Sequence, residues 1–171
     1  MLSDLTNLTA TTKYRAVIQS GVCSATNSSD ATVTVNPVSA GGSVSGSATV
    51  CSGSNSNTLT LDGNTGSIVK WQYSTNDWTS STDVANTTTT LTTTNLTVTT
   101  KYRAVVQSGV CSSANSSDAT VTVDPVSVGG SISGSATVCS GTNSNLLTLS
   151  GHTGSILKWQ YSTTTGKLLL M

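Results

Sequence analysis

The amino-acid sequence predicts an all-β fold assembled from β-sandwich modules in tandem, and three observations carry that expectation. The first is composition: Ser (30) and Thr (33) fill 63 of 171 positions, Glu and Phe are absent, and charged residues make up 8%. So few Lys, Glu, Gln and Arg leave little with which to build solvent-facing helices, whereas Thr and Val suit a half-buried strand surface. The second is the alternation of apolar and polar residues in short runs bounded by Gly, Asn and Pro. The third is a long internal repeat.

Residues 13–75 recur as residues 101–163 at an offset of 88, with 52 of 63 positions identical and no insertion or deletion. Most of the eleven changes are small, such as Ile18 to Val106 and Val44 to Ile132. A unit of about 88 residues matches an immunoglobulin-type sandwich and is too long for an ankyrin, leucine-rich or propeller-blade repeat. Its boundaries fall at Asn36-Pro37-Val38-Ser39-Ala40-Gly41-Gly42 and at Asp124-Pro125-Val126-Ser127-Val128-Gly129-Gly130. Proline removes a ladder donor and the Gly pair relaxes the backbone, so both read as short linkers. In that frame residues 1–36 are the C-terminal part of one repeat, 37–124 a complete repeat, and 125–171 the N-terminal part of a third.

Within the complete repeat the elements follow in order. Val44 to Val50 reads as a weak first strand, and Thr58-Leu-Thr-Leu61 as a second with Leu inward. Ile68 to Tyr73 is the third, built around Trp71. A polar turn region with Trp78 and Asp83 precedes a Thr-rich run, 87–94, containing Leu91, and then Leu96-Thr-Val98. The clearest strands come last, Tyr102 to Gln107 and Ala119 to Val123, and Gly63-Asn64 and Gly109 mark turns. About seven short strands without a helix make a sandwich. Ile68, Trp71, Tyr102, Ala104 and Val106 are the expected core. Trp71 and its counterpart Trp159 are expected as core anchors between two sheets. Trp78, in the least regular segment, is the one aromatic considered as a ligand contact.

Balanced charge, seven Lys+Arg against seven Asp, excludes a strong electrostatic case for nucleic acid or an anionic membrane. No run of 18 apolar residues could span a bilayer, so direct membrane insertion is not expected. Catalysis finds no footing: the single His, His152, replaces Asn64 of the preceding repeat, and Asp62, Asp77, Asp83 and Asp118 lie scattered along the chain. No cofactor motif is present, and no cysteine has a second Cys or His two to four residues away, so no metal site is expected. A carbohydrate-binding module would rely on Trp78 with Tyr73 or Tyr14. Thr-x-Thr at 32–34, 58–60, 97–99 and 120–122 raises an ice-binding surface, but these fall on different strands at different intervals and imply no regular array.

The four cysteines, at 23, 51, 111 and 139, suggest disulfides and an oxidising compartment. Pairing Cys51 with Cys111 keeps the bond inside one repeat; pairing Cys23 with Cys51 and Cys111 with Cys139 crosses the linkers. Loop-closure entropy contributes about 4.3 kcal/mol for the first and about 3.6 for one bridge of the second, which leaves both open.

The motifs Val50-Cys-Ser-Gly, Leu59-Thr-Leu61, Lys70-Trp-Gln-Tyr-Ser74, Thr99-Thr-Lys-Tyr-Arg-Ala104, Ser108-Gly-Val-Cys111 and Ala119-Thr-Val-Thr-Val-Asp-Pro125 carry a resemblance across nearly the whole chain. It resembles the immunoglobulin-like or polycystic-kidney-disease-like repeats of secreted and cell-surface, adhesin-type proteins of the Bacteroidetes. The resemblance implies Cys51 and Cys111 as a disulfide pair and Trp71 as the core tryptophan. It also implies a non-catalytic stalk or spacer, extracellular or on the bacterial cell surface. Its partners would be neighbouring repeats and, through the parent protein, cell-surface polysaccharide or protein. Because the sequence opens inside a repeat and abandons it after Thr163, a fragment of a longer array is expected, with its two incomplete ends complementing one another between chains.

Overall fold

A computed structural model describes residues 5–163 and 168–170, and every regular element among them is a β-strand. The middle repeat holds β1 (Ser43–Ser45), β2 (Ala48–Cys51), β3 (Ser56–Asp62), β4 (Ser67–Ser74), β5 (Thr82–Val84), β6 (Thr90–Thr94), β7 (Thr100–Gln107), β8 (Ala114–Asn115) and β9 (Ala119–Asp124). One sheet has the order β6-β3-β1 and the other β2-β9-β7-β4-β5, with β8 added to β7. All pairings are antiparallel except β2 with β9, which run parallel from Ala48 opposite Val121 to Cys51 opposite Asp124.

Period-two alternation places the core. From the smaller sheet come Val44, Leu59, Leu61 and Leu91; the larger contributes Ile68, Trp71, Tyr102, Ala104, Val106, Ala119 and Val121. Together they form one buried cluster between the two sheets. Burying side chains of this size at roughly 1.5–3 kcal/mol each is what offsets the ordering entropy of the strands. Trp71 lies at its centre with no exposed surface, and its Nε1–H donates to the Thr88 carbonyl at 3.0 Å, so burial leaves no polar atom unpaired.

Two expected strands differ from the structure. Val44 to Val50 is not continuous: Gly46, at φ +98°, breaks it so that β1 joins the smaller sheet and β2 the larger. A Cβ at Gly46 would collide with the Thr58 carbonyl oxygen, so the crossing needs glycine both for its backbone angle and for space. Leu96 to Val98 is a loop rather than a strand. There the Asn55 side chain supplies the backbone partners, accepting from Leu96 N–H at 3.0 Å and donating to Leu96 O at 2.7 Å.

The linker packs against its own repeat. The Ser39 hydroxyl accepts from the Ser108 N–H at 2.9 Å, Ala40 bridges Thr65, and Ser117 N–H donates to Gly42 O at 3.0 Å. Asn36 and Pro37 thus lie beside the turn that follows β7, while Asp124 ends β9 beyond the start of β7. The polypeptide enters the repeat at one end of the sandwich and leaves it at the other, separated by the length of β7, about 27 Å for eight residues.

Outside the middle repeat the strands pair only two by two. Thr12–Tyr14 lies against Ala31–Val33, Val17–Ile18 against Thr26–Asn27, Ser131–Ser133 against Thr148–Ser150, and Gln160–Ser162 against Leu168–Leu170. Without an opposing sheet the apolar residues on these strands, Val17, Ile18 and Ile132, and those beside them, Leu147 and Ile156, stay accessible. Trp159 departs from its expected role as a core anchor for the same reason. It is 37% exposed, because the residues that would correspond to 84–107, which include the counterparts of β6 and β7 around Trp71, are not among the 171.

Candidate functional site

Two outward surfaces and one cleft of the middle repeat could serve recognition. The outer face of the larger sheet gathers most of its charge. Lys70 and Gln72 flank the inward Trp71 on β4, and Lys101 and Arg103 flank the inward Tyr102 on β7, which brings the four onto one outward face. Asp83, on edge strand β5, accepts from Lys70 Nζ at 2.7 Å and from Gln72 Nε2 at 2.8 Å. Those bonds, led by the one from Lys70, hold the Asp83 carboxyl below its ordinary value. Arg103 Nε donates to Gln72 Oε1 at 3.0 Å, and Lys101 pairs with Asp77, which raises the lysine's pKa.

Trp78 joins this network instead of standing free. The buried Ser74 hydroxyl accepts from the backbone N–H of Asn76 at 3.3 Å and of Trp78 at 2.9 Å, and Asn76 Oδ1 accepts from Ser80 N–H at 3.0 Å. That loop holds Asp77 and Trp78 at φ +54° and +64° and turns the indole back over the sheet. Arg103 then lies 4.0 Å above the Trp78 ring, and Trp78 Nε1 donates to Asp118 Oδ2 at 2.5 Å. One indole face is therefore occupied by a guanidinium, a cation–π contact. Of the other rings, Trp71 and Tyr102 are buried, and Tyr73 is half-buried against the core with its ring 6.1 Å from that of Tyr102. Tyr14 lies in another repeat, exposed only in part. The structure thus does not bring Trp78, Tyr73 and Tyr14 together as a stacking platform.

The second surface is one that sequence reasoning missed. On the outer face of the smaller sheet, register places Ser45, Thr60 and Thr90 in one row, Thr58 beside Thr92 in the next, and Ser56 beside Thr94 in a third. Thr58 and Thr92 hydroxyls are 3.5 Å apart. These residues are exposed, while Leu59, Leu61, Leu91 and Thr93 between them point inward. Rows along such a strand repeat at about 6.8 Å and neighbouring strands at about 4.8 Å, giving an ordered grid of hydroxyls. Its signal was Thr90-Leu-Thr-Thr-Thr94 read against Thr58-Leu-Thr60, but only pairing reveals that the two runs are neighbours.

The cleft, about 350 Å³, opens between edge strands β5 and β6 and is lined by Tyr73, Val84, Leu91, Leu96 and Tyr102. Burial raises the Tyr102 pKa, which keeps its phenol neutral. Among the described residues no carboxylate, imidazole or thiol lines it. Among the described residues no group of three or more His, Cys, Asp or Glu could hold a metal ion, and His152 lies exposed in a turn. Gly166, the counterpart of Trp78, lies outside the described residues. No described helix is long and apolar enough to cross a membrane.

The cysteines correct the intradomain pairing. All four are free thiols, and Cys51 and Cys111 sit at opposite ends of the sandwich. Cys51 ends β2 opposite Asp124, whereas Cys111 follows β7 beside Asn36 and Pro37, so the whole strand length separates them. A disulfide needs Cα atoms within about 7 Å.

A protein-family model described as Domain of unknown function (DUF8696) matches residues 3–37, 40–125 and 128–168. The breaks between matches fall inside the two Pro-Val-Ser linkers. No curated protein matches the chain.

Proposed function

The chain belongs to the DUF8696 family, whose function is unknown, and from its geometry we propose a non-catalytic spacer: an immunoglobulin-like module that builds a stalk in a secreted or cell-surface bacterial protein. The observation that carries this reading is that the polypeptide enters and leaves the repeat at opposite ends of the sandwich, so successive repeats extend an array instead of folding it back. A first strand split between the sheets, its second half parallel to the last strand, and a buried Trp on the interior strand β4 support the immunoglobulin-like assignment. Surface chemistry agrees with a spacer. Lys70 and Lys101 pair with Asp83 and Asp77, Arg103 is engaged by Gln72 and the Trp78 ring, and many other outer positions carry short hydroxyls. The exposed apolar residues of this repeat, Val38, Val69, Val98 and Val110 among them, are small. The partners of such a module are its neighbouring repeats, and any adhesive specificity for polysaccharide or protein belongs to the parent protein.

Small-angle scattering on chains of one, two and three complete repeats tests this. The maximum dimension should grow by about 35–45 Å per repeat, since a strand spans about 23–27 Å and the turns and linker add the rest. Growth as the cube root of length would refute it. The hydroxyl grid on the smaller sheet favours a second reading, a Thr-rich ice-binding surface. Thermal hysteresis measured on the chain, and its loss in Thr58→Lys with Thr92→Lys, would establish it; no hysteresis at millimolar protein would remove it.

A further inference from the structure

We infer that consecutive repeats are stapled by a disulfide joining the Cys51 position of one repeat to the Cys111 position of the repeat that follows it. The inference rests on the end-to-end reading of the array above, and its argument comes from what surrounds each thiol.

Cys51 closes the parallel ladder of β2 with β9, its Cα facing that of Asp124. The next residue, Ser52, donates its N–H to the Asp124 carbonyl at 2.8 Å. Cys111 lies at the other end, and what it touches there is the junction with the preceding repeat: its Sγ is 3.7 Å from Asn36 O and 3.4 Å from Pro37 O. That contact is built in. The turn that carries Cys111 has Gly109 at φ +52°, where a Cβ would collide with the Asn36 side-chain amide. Gln107 Nε2 donates to the Cys111 carbonyl at 3.0 Å and holds the turn in place.

Asn36 and Asp124 are the same position of the repeat, 88 residues apart, and each is followed by Pro-Val-Ser. The contact seen at Asn36 therefore recurs at Asp124 when a further repeat follows. The thiol of that repeat lies against the Asp124 peptide unit, the carbonyl of which is already held by the residue after Cys51. Two cysteines from two repeats converge on one residue. Parallel neighbours stand about 4.8 Å apart, so Cys51 lies one strand spacing from the residue that the other thiol touches, and closure then requires the two Cα atoms to fall within the 4.4–6.8 Å of a disulfide. The same arrangement accounts for the separation of Cys51 from Cys111. Cys23, Cys51, Cys111 and Cys139 belong to four different junctions, so no two of them are partners.

The chemistry balances with an external disulfide oxidant, taken here as glutathione disulfide. One thiolate attacks it, releasing one glutathione thiol and forming a mixed disulfide. The second protein thiolate displaces the other glutathione, and an Sγ–Sγ bond remains. Cys51 is exposed and Cys111 half-buried, so an oxidant reaches the junction. The bond would add a covalent tie to the contacts that already hold the linker against its repeat.

The test keeps the whole chain and lengthens it by one repeat, placing a second copy of residues 37–124 after Asp124, which restores the native Asp-Pro junction. Serine replaces every cysteine except two. One variant retains Cys51 of the first copy and Cys111 of the second; the other retains Cys51 and Cys111 of the first copy. Both are incubated with glutathione disulfide, and free thiols and intact mass are followed. The first should close within the monomer, losing two hydrogens, at least ten-fold faster than the second. Equal rates, faster closure in the second, or linkage of the first only between chains overturns the inference. Scattering of the reduced proteins reads the array length separately. An extended particle that fails to close removes the staple alone, whereas a compact particle removes the spacer reading as well.

Discussion

Trp71 and Trp159 stand in the nearly identical segments Ile68-Val-Lys-Trp-Gln-Tyr-Ser-Thr75 and Ile156-Leu-Lys-Trp-Gln-Tyr-Ser-Thr163, yet their replacement by alanine should differ by several kcal/mol. Trp71 is wholly buried, packed in the cluster that includes Leu59, Ala104 and Val106. A tryptophan buries roughly 200–250 Å² of side chain, which at ~25 cal/mol per Å² amounts to about 5–6 kcal/mol. Alanine retains part of that area, and the cavity relaxes in part, so the packing loss is about 3–5 kcal/mol. Loss of the bond from Nε1 leaves the Thr88 carbonyl short of a donor and adds about 1 kcal/mol. Trp71→Ala therefore costs about 4–6 kcal/mol, a large part of the roughly 5–15 kcal/mol that holds a domain together. Trp159→Ala, at a partly solvated ring without a covering sheet, should cost less than about 1 kcal/mol. Urea unfolding of the full chain followed by circular dichroism measures both. With a slope near 1.5–2 kcal/mol/M, the Trp71 variant should lose about 2–4 M in midpoint and the Trp159 variant less than about 0.7 M. Equal shifts would refute the argument that coverage by β3, β7 and the 85–89 loop, and not the local sequence, makes this residue an anchor.

Other perturbations probe the same structure. Gly46→Ala should lower stability by about 2–4 kcal/mol in thermal unfolding, from the collision with Thr58 O and its φ of +98°, while Gly53→Ala, at the same φ with nothing within 4 Å of its Cβ, should cost about 1–2 kcal/mol. Ser116→Ala removes the acceptor, at 2.8 Å, of the buried Ala104 N–H, so a loss of about 1–3 kcal/mol and faster hydrogen exchange at that amide are expected. Because the folded Asp83 carboxyl titrates below its ordinary 3.8, its contribution is present above that pH and disappears as pH falls through the folded value. Melting temperatures of the wild type and Asp83→Asn should therefore differ at pH 6 and converge in strong acid, once the folded carboxylate is protonated. Lys101 has the opposite sign: raised by Asp77 above 10.5, it contributes below that pH and loses its contribution as pH climbs through the folded value. The gap between wild type and Lys101→Met should close in strong alkali.

What the amino-acid order determined by itself is the class of structure and the sides of its strands. Scarcity of helix formers and period-two runs such as Leu59-Thr-Leu61 and Tyr102-Arg-Ala-Val-Val-Gln107 are local properties, and they sort residues into inward and outward without reference to any partner. The 88-residue repeat and its Pro-Gly linkers are likewise legible in the chain alone. Partners are not, because strand pairing joins residues far apart in sequence and nothing local encodes which run lies beside which. Tertiary structure therefore decided that Gly46 sends one apparent strand into two sheets, and that Asn55 takes the place of a strand beside Leu96. It decided that Thr58 and Thr60 border Thr92 and Thr90, and that the Trp78 indole is capped by Arg103. Cys51 and Cys111 show the limit most plainly. One repeat owns both, but each lies where its strand ends, and β2 and β7 run antiparallel on either side of β9, so folding carries the two thiols to opposite ends.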